Sequence, residues 1–383
     1  MFKDFIALVR EIYKTNDFIP LHEPRFLGNE KQYLMDTIDS TFVSSVGRYV
    51  DDFEIAVANY TGADYAIATV NGTAALHAAL VLAGVRNGDE VITQSLTFVA
   101  TCNAIRYCNA APVFIDVSKK TLGLSAESMS RFLEENCEIR DDGYCWNKTT
   151  GKIVRACVPM HTFGFPVELD DINNLCKRYN IALVEDAAES LGSTYKQKHT
   201  GTVGKVSAVS FNGNKIITTG GGGMLLTNDK GLAEKAKHIT TAAKVKHKWA
   251  FEHDEVGFNY RLPNVNAALG LAQMESLPKI LIGKRLIAKQ YQQWGKENGT
   301  TFIKELEHTK SNYWLNTVLT RSRAERDLML EETNTKGIMT RPMWIPMHNL
   351  TMYSHCQKTE LKNTEWFQER VVNVPSSVRS FDM

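Results

Sequence analysis

The sequence predicts an α/β fold in which helices cover a mostly parallel central sheet, followed by a smaller α+β domain. Between residues 65 and 227, short apolar runs alternate with helical patterns, as in parallel strands joined by helices. After about residue 230 the pattern becomes mainly helical, and after Asn298 it is mixed. Because 383 residues exceed what one hydrophobic core usually holds, we predict a large domain over residues 1–250, including an N-terminal arm, and a smaller one over residues 251–383.

The individual strands and helices are predicted from apolar periodicity and from capping or turn residues at their ends. In the large domain, strands are predicted at residues 65–69, 90–93, 112–116, 154–161, 181–186, 206–211 and 223–227. Helices are predicted at residues 2–13, at residues 73–83, and from Asp170 or Asp171 to Tyr179. In the smaller domain we predict a helix at 269–287, and the sequence leaves open whether Pro278 interrupts it. A strand is predicted at 314–321 and a helix at 327–336, with a loop at 256–261 between the domains.

Charge and cysteine usage exclude several classes of function. The formal net charge is +1, so no overall field attracts nucleic acid or an anionic membrane. Seven cysteines are scattered without a C-x-x-C pair, which predicts reduced, buried thiols and no zinc site. No apolar stretch approaches the roughly 20 residues of a membrane span, and residues 1–10 lack the pattern of a signal peptide. We therefore predict a cytoplasmic protein without nucleic-acid or membrane partners.

The first segment with chemical potential is Asn71-Gly72-Thr73-Ala74, which follows a strand and opens a helix. Free backbone N–H groups and the helix dipole at such a point bind phosphate. By itself the segment is more typical of a plain turn in which Thr73 is the N-cap.

Two further segments follow the ends of predicted strands, where ligand sites of such sheets lie. Asp186 ends the strand at 181–186; it could pair with a cationic ring nitrogen, bind a metal or cap the next turn. A metal cluster with Glu185 and Glu189 lacks a suitably placed His or Cys, so we predict no metal site. Lys215 lies between a strand and four consecutive glycines, either as an activated nucleophile or as a solvated loop residue.

The three segments together fit pyridoxal 5′-phosphate (PLP). This cofactor needs a lysine for a Schiff base, a carboxylate for its ring nitrogen and a cradle for its phosphate. The sequence supplies the phosphate turn, Asp186 and Lys215 in that order, each at a strand end. The combination predicts a PLP enzyme, although each segment alone has an ordinary explanation.

At this point the chain resembles the sugar aminotransferases of the DegT/DnrJ/EryC1/StrS family, a branch of the fold-type I PLP enzymes. The resemblance extends from about Ile19 to about Ser377. It rests on Asn71-Gly72-Thr73-Ala74-Ala75-Leu76, on Glu185-Asp186-Ala187-Ala188-Glu189, on residues 210–223, and on Gly257-Phe258-Asn259-Tyr260-Arg261-Leu262.

The resemblance implies roles for individual residues. Lys215 corresponds to the Schiff-base lysine and Asp186 to the partner of the pyridine nitrogen, and both are therefore candidate catalytic residues. Other implied cofactor contacts are the aromatic ring of Phe98, Glu189 in place of a Gln or His in many relatives, and Asn259 from a neighbouring subunit. The remaining implied cofactor contacts lie in the phosphate turn and around the lysine: Gly72, Thr73, Ala74, Ser210 and Asn212.

The substrate is also implied by the resemblance. The phrases at 211–219 and 340–348 are similar to enzymes of legionaminic acid and bacillosamine synthesis, which act at C4 of a nucleotide-linked 4-keto-6-deoxy sugar. The expected reaction moves an amino group from an amino acid, L-glutamate by family likeness, to a UDP-linked 4-keto-6-deoxy-N-acetylhexosamine, and the cofactor cycles through pyridoxamine 5′-phosphate. Arg341, Trp344 and His348 are expected near the substrate. His161 is either a substrate contact or a structural histidine.

The family resemblance leaves alternatives open. The same motifs occur in relatives that transfer the amino group to C3 of the sugar. A related PLP-dependent dehydration of sugars is disfavoured by Lys215, because histidine replaces the lysine in that branch. A non-catalytic sensor of nucleotide-sugars is disfavoured by the intact lysine, carboxylate and phosphate turn. Sharing of Asn259 between subunits implies a homodimer with active sites at the subunit interface.

Overall fold

The computed structural model describes residues 2–379 and shows an α/β fold with a large central sheet. Two short 3₁₀ turns, Thr162–Gly164 and Met347–Asn349, occur in addition to the helices and strands. The helices are α1 (Lys3–Tyr13), α2 (Glu30–Asp39), α3 (Arg48–Thr61), α4 (Gly72–Leu82), α5 (Val99–Tyr107), α6 (Ala126–Asn136), α7 (Leu169–Arg178), α8 (Lys230–Thr240), α9 (Asn264–Asn298), α10 (Arg323–Thr335) and α11 (Lys362–Gln368). The strands are β1 (Tyr65–Thr69), β2 (Glu90–Gln94), β3 (Ala111–Ile115), β4 (Cys137–Ile139), β5 (Cys145–Asn147), β6 (Lys152–Val158), β7 (Ala182–Asp186), β8 (Thr194–Tyr195), β9 (Lys198–His199), β10 (Val206–Ser210), β11 (Gly223–Thr227), β12 (Thr301–Phe302), β13 (Thr309–Lys310), β14 (Asn316–Leu319), β15 (Arg341–Pro342) and β16 (Val371–Val374).

The central sheet has the strand order β1-β11-β10-β7-β6-β2-β3, and the hairpin of β4 and β5 extends from β6. From β10 to β3 every neighbouring pair is parallel, whereas β11 runs antiparallel to both β1 and β10. The strands β2, β10 and β11 are buried along their whole length. Burial along the whole of each strand shows that both faces of the sheet are covered, which confirms the predicted mostly parallel, covered sheet.

The C-terminal part contains a second, four-stranded sheet in the order β12-β14-β16-β15, antiparallel throughout. Its β14 is shorter than the strand predicted at 314–321, because Trp314 turns away before the ladder begins. The helix predicted at 327–336 begins earlier, at Arg323. Ser322 caps it by accepting a hydrogen bond from the Glu325 N–H, and Glu325 in turn binds the Arg321 N–H.

Helix α9 continues through Pro278 over 35 residues, so the interruption that the sequence left open does not occur. Proline removes a single backbone donor from the helix. Met274, Leu277 and Ile280 on the buried face maintain packing against the large domain across that point. Tertiary contacts therefore outweigh the local breaking signal.

Hydrophobic clusters show which segments pack together. The first half of α9 packs with α3 and the strand β1, whereas its second half packs with α1 and the C-terminal sheet. Phe5 and Val9 of α1 contact this C-terminal cluster, which also contains Tyr291 and Val372. The division between residues 250 and 251 stays a prediction, and the N-terminal helix joins the C-terminal cluster.

Two simpler expectations concern thiols and membrane spans. All seven cysteines are free and buried, as predicted for small apolar side chains. Among residues 2–379, no helix is both long enough and apolar enough to cross a bilayer.

Candidate active site

A cavity of about 330 Å³ opens at the carboxyl ends of β7 and β10, at the edge of the sheet where the sequence predicts a ligand site. Polar, aromatic and charged side chains from distant parts of the chain line it. The lining residues are Asn71, Gly72, Thr73, Leu76, Phe98, Ala100, Thr101, Met160, Asp186, Ala188, Glu189, Ser210, Asn212, Asn214, Lys215, Trp314 and Trp344.

The phosphate turn begins α4 at the cavity. The N-cap is Asn71, whose side-chain oxygen accepts the Ala74 N–H at 2.8 Å, so Thr73 is not the cap. The N–H groups of Gly72 and Thr73, in the first turn, have no acceptor within the helix and lie on the cavity. Ala74 is 6% exposed and absent from the lining, so its predicted phosphate contact is corrected: its N–H already has a partner in Asn71.

Close approach of three backbone segments explains two glycines of the site. A Cβ at position 72 would lie 2.7 Å from the Ser210 Cβ, and one at position 223 would lie 2.4 Å from the Asn71 carbonyl oxygen. Only glycine therefore lets the phosphate turn lie against the end of β10 and the start of β11. This contact places the Ser210 hydroxyl beside the free amides of α4.

Asp186 ends β7 and is 4% exposed. Its carboxylate accepts hydrogen bonds from the Thr101 hydroxyl at 2.8 Å and from the Ala188 N–H at 3.2 Å. Burial raises the pKa of Asp186, opposed by these hydrogen bonds and by the charge of Lys215. A cationic ligand group beside the carboxylate would offset the cost of burying its charge.

Glu185 precedes Asp186 but points into the opposite, closed side of the sheet. Although burial acts to raise its pKa, hydrogen bonds from His161 and from the Gly204 and Gly201 amides hold the pKa of Glu185 below its ordinary value. His161 is fully buried: its Nε2 lies 3.0 Å from Glu185, and its Nδ1 accepts the Val167 N–H. Both ring nitrogens are occupied, so the predicted substrate contact of His161 is corrected to a structural role.

Lys215 reaches the cavity between two groups. Its Nζ lies 3.1 Å from a Glu189 carboxylate oxygen and 4.1 Å from the centre of the Trp314 ring. The second Glu189 oxygen accepts the Phe163 N–H at 2.9 Å. Burial raises the pKa of Glu189, whereas the charge of Lys215 lowers it. Lys215 is thus held in the cavity, and it is not a solvated loop residue.

Aromatic rings form the wall opposite the strand ends. The ring centroids of Phe98 and Trp344 lie 6.1 Å apart, and those of Trp344 and Phe163 lie 4.9 Å apart. Phe98 is 49% exposed, so an aromatic surface is open to a ligand at the mouth of the cavity. Asn212 also lines the cavity, as predicted for a cofactor contact.

Three predicted residues lie outside the cavity lining. Arg341 is exposed and donates to the side chain of Asn334 at 3.0 Å, and His348 is buried with its Nδ1 2.7 Å from the Ser95 hydroxyl oxygen. Asn259 is exposed, near the loop contact with Thr241, and does not reach the cavity of its own chain. Their roles stay predictions.

Among the cavity residues that sequence reasoning missed, Thr101 and Trp314 contact the key side chains Asp186 and Lys215. Thr101 lies in the first turn of α5, and its hydroxyl also lies 2.8 Å from that of Thr97, just before the helix. Trp314 was assigned to a strand. No local pattern indicates that its indole reaches Lys215, about 100 residues away in the sequence.

The residues of the cavity fit PLP. The free amides of α4 and the Ser210 hydroxyl would hold the phosphate, and Asp186 would bind the protonated ring nitrogen. Lys215 offers the only amine among the described residues that line the cavity, as an aldehyde partner requires. Glycine at position 72 lets the Ser210 side chain lie against the turn, so its hydroxyl stands next to the free amides.

Comparisons with known proteins agree with this site. The model of the DegT/DnrJ/EryC1/StrS aminotransferase family matches residues 26–380. The GDP-perosamine synthase of Escherichia coli O157:H7 is 37% identical over 364 residues, covering 94% of this chain and 93% of that protein. The GDP-perosamine synthase of Caulobacter vibrioides is 35% identical over 362 residues, with 94% and 93% covered.

Among solved structures, Helicobacter pylori PseC, an aminotransferase involved in the biosynthesis of pseudoaminic acid, superimposes with a TM-score of 0.84. It is 25% identical, and 94% of each chain is covered. The chain therefore belongs to the DegT/DnrJ/EryC1/StrS aminotransferase family. It is an enzyme, an aminotransferase that depends on PLP.

Proposed function

We propose that the protein transfers an amino group from L-glutamate to the C4 ketone of a nucleotide-linked 4-keto-6-deoxy sugar, for the synthesis of surface glycans or nonulosonic acids. The observation that carries this proposal is the convergence of Lys215, Asp186 and the phosphate turn in one cavity with an aromatic wall. The relatives named GDP-perosamine synthase support a nucleotide-linked sugar as the amino acceptor.

The residues of the chain divide the work as follows. Asp186 would keep the ring nitrogen of the cofactor protonated, and PLP, when bound, would supply an electron sink for the electron pair left on the amino acid when its α-proton departs. Lys215, once its amine is free, moves that proton as a base within hydrogen-bond reach. Phe98 offers its ring to the cofactor, as the family resemblance implies, and the neighbouring Trp344 offers an apolar surface to the sugar.

Two sugars compete within this class. The phrases at 211–219 and 340–348 favour a UDP-linked 4-keto-6-deoxy-N-acetylhexosamine, whereas the names of the relatives favour a GDP-linked 4-keto-6-deoxyhexose. A panel of UDP-, GDP- and dTDP-linked 4-keto sugars, each with L-glutamate, tests the proposal. We expect an amino sugar from one nucleotide series, with the new amine at C4 by NMR. An amine at C3, or no product with any of these sugars, would refute it.

A homodimer that shares its active sites is the second part of the proposal. The region around α2 exposes large apolar side chains, and so does the loop before residue 257. They are Met35, Ile38, Phe42, Val43, Val46, Trp249, Phe251 and Val256. An exposed apolar surface of this extent marks a binding interface. A second copy bound there would bring its Asn259 to the cavity of the first copy, which the first copy's own Asn259 does not reach.

Complementation of two inactive variants tests the shared site. Lys215→Ala and Asn259→Ala proteins are unfolded together, refolded and assayed. If Asn259 serves the partner's site, mixed dimers contain one site with both native residues, and about a quarter of wild-type activity returns. Activity that stays at the level of the separate variants would show that Asn259 does not act across the interface.

A further inference from the structure

The amine of Lys215 lies between two side chains, which contact it on two sides. One side is the Glu189 carboxylate at 3.1 Å, and the other is the face of Trp314 at 4.1 Å. The side chains of Lys215 and Glu189 are only 12% and 2% exposed. A carboxylate and an indole face both stabilise an ammonium group, and more so when water is excluded.

Glu189 is fixed in place by an unusual backbone conformation. The Phe163 N–H that binds it belongs to a buried residue with φ of 56°, in the left-handed region that bulky residues rarely occupy. Such a conformation persists only where the surrounding structure enforces it, and it often marks a functional site. Here it aims an N–H at one Glu189 oxygen and leaves the other for Lys215.

Trp314 is held from three directions. Its indole N–H donates to the carbonyl of Asn214 at 2.7 Å, which ties the ring to the residue before the lysine. Its backbone N–H donates to Asn312 at 2.8 Å, and its carbonyl accepts from the buried Lys284 at 2.7 Å. The ring therefore cannot follow a moving lysine side chain and provides a fixed surface.

We propose that Glu189 and Trp314 form an amine-holding site, which retains the Lys215 amine in one position whenever it is not joined to the cofactor. The inference rests on the proposed role of Lys215. A free lysine has four flexible carbons and would otherwise sample many positions. Trp314 is thus a positioning residue: it keeps the amine close to the place where it moves a proton.

Pulsed acetylation of the cofactor-free protein with acetic anhydride, followed by peptide mass spectrometry, measures how freely the amine is released. Trp314→Leu and Glu189→Gln should each raise the acetylation rate of Lys215 on the order of tenfold, because each removes one side of the holding site. Trp314→Phe keeps an aromatic face and should restore a rate within about twofold of wild type. Two lysines serve as internal references: exposed Lys279, and Lys284, which is 0% exposed.

The references separate release of the amine from unfolding. Unchanged Lys215 labelling in Trp314→Leu, with Lys284 still protected, would overturn the proposal. If Lys284 becomes labelled in Trp314→Leu, that variant is unfolded and the Glu189→Gln variant provides the test instead. An unchanged acetylation rate of Lys215 in Glu189→Gln would then overturn the proposal. No sugar is present, so failure of the substrate panel leaves this result standing, and failure here leaves the substrate panel standing.

Discussion

The two sides of the cavity are built by different means. Thr73, Asp186 and Ser210 stand at or just after strand ends, so the order of the parallel sheet brings them together. The aromatic wall depends on Trp344, which comes from the C-terminal part and reaches the cavity beside the buried Phe163. The strand-end side supplies the groups that would bind the cofactor, and the aromatic wall supplies the surface that would contact the substrate.

The largest expected effect lies on the strand-end side, at Lys215. Lys215→Ala should lower turnover by on the order of 10⁵-fold or more, because it removes the only amine of the cavity lining. The visible absorbance of the lysine-bound cofactor should vanish too. Lys198→Ala, at an exposed lysine, is the matched control. An active Lys215→Ala protein, or borohydride trapping of the cofactor on another residue, would refute the assignment.

Asp186→Asn should lower the rate by about 10²- to 10³-fold, because a neutral amide no longer favours the protonated ring nitrogen. The variant should still bind PLP, more weakly than wild type, which spectrophotometric titration measures. Wild-type activity in Asp186→Asn would remove this carboxylate from the mechanism.

For Asp186→Asn we also expect a pH-dependent difference from wild type in the stability of the cofactor-free protein. Burial raises the pKa of Asp186, opposed by the Thr101 and Ala188 hydrogen bonds, so the cofactor-free protein loses stability as pH rises through that raised value and a buried charge forms. Asp186→Asn avoids this cost. We expect its cofactor-free Tm to exceed wild type by about 2 °C at pH 8 and the difference to shrink towards pH 4.5. A difference that grows on acidification would contradict the burial argument.

On the aromatic wall, Trp344→Ala should affect only the half-reaction with the sugar. Loss of the indole should reduce kcat/KM for the sugar about tenfold while the half-reaction with L-glutamate changes less than about twofold. Equal losses in both half-reactions would show that Trp344 supports the cofactor side, and the division of the cavity into two sides would fail.

The smallest expected effect is at Arg341, which is exposed and bonded to Asn334. Arg341→Ala should raise KM for the nucleotide-sugar about threefold, and added salt should mask the difference, since the guanidinium would act on a diphosphate through solvent. Arg323→Ala, an exposed arginine on α10, is the control. A KM equal to wild type at low salt would place Arg341 outside the substrate site.

Several parts of the molecule were predictable because their signals are local. The strand that ends at Asp186 has a continuous apolar run, and Gly223 marks a close backbone contact with Asn71. Other points stayed open in the sequence, because distant contacts decide them. Helix α9 passes through Pro278 because its buried face packs on both parts of the chain, and His161 is closed off by Glu185.

Sequence alone determined that a lysine, a carboxylate and a helix start meet at one edge of a sheet, because parallel strands place their carboxyl ends together. Only the tertiary structure decided what surrounds them. Trp314 faces Lys215 because the Asn214 carbonyl binds its indole and Lys284 binds its backbone carbonyl. Asp186 and Glu185 differ in pKa because their side chains enter different environments. Such differences arise from burial and partners, and residue order does not encode these in any local pattern.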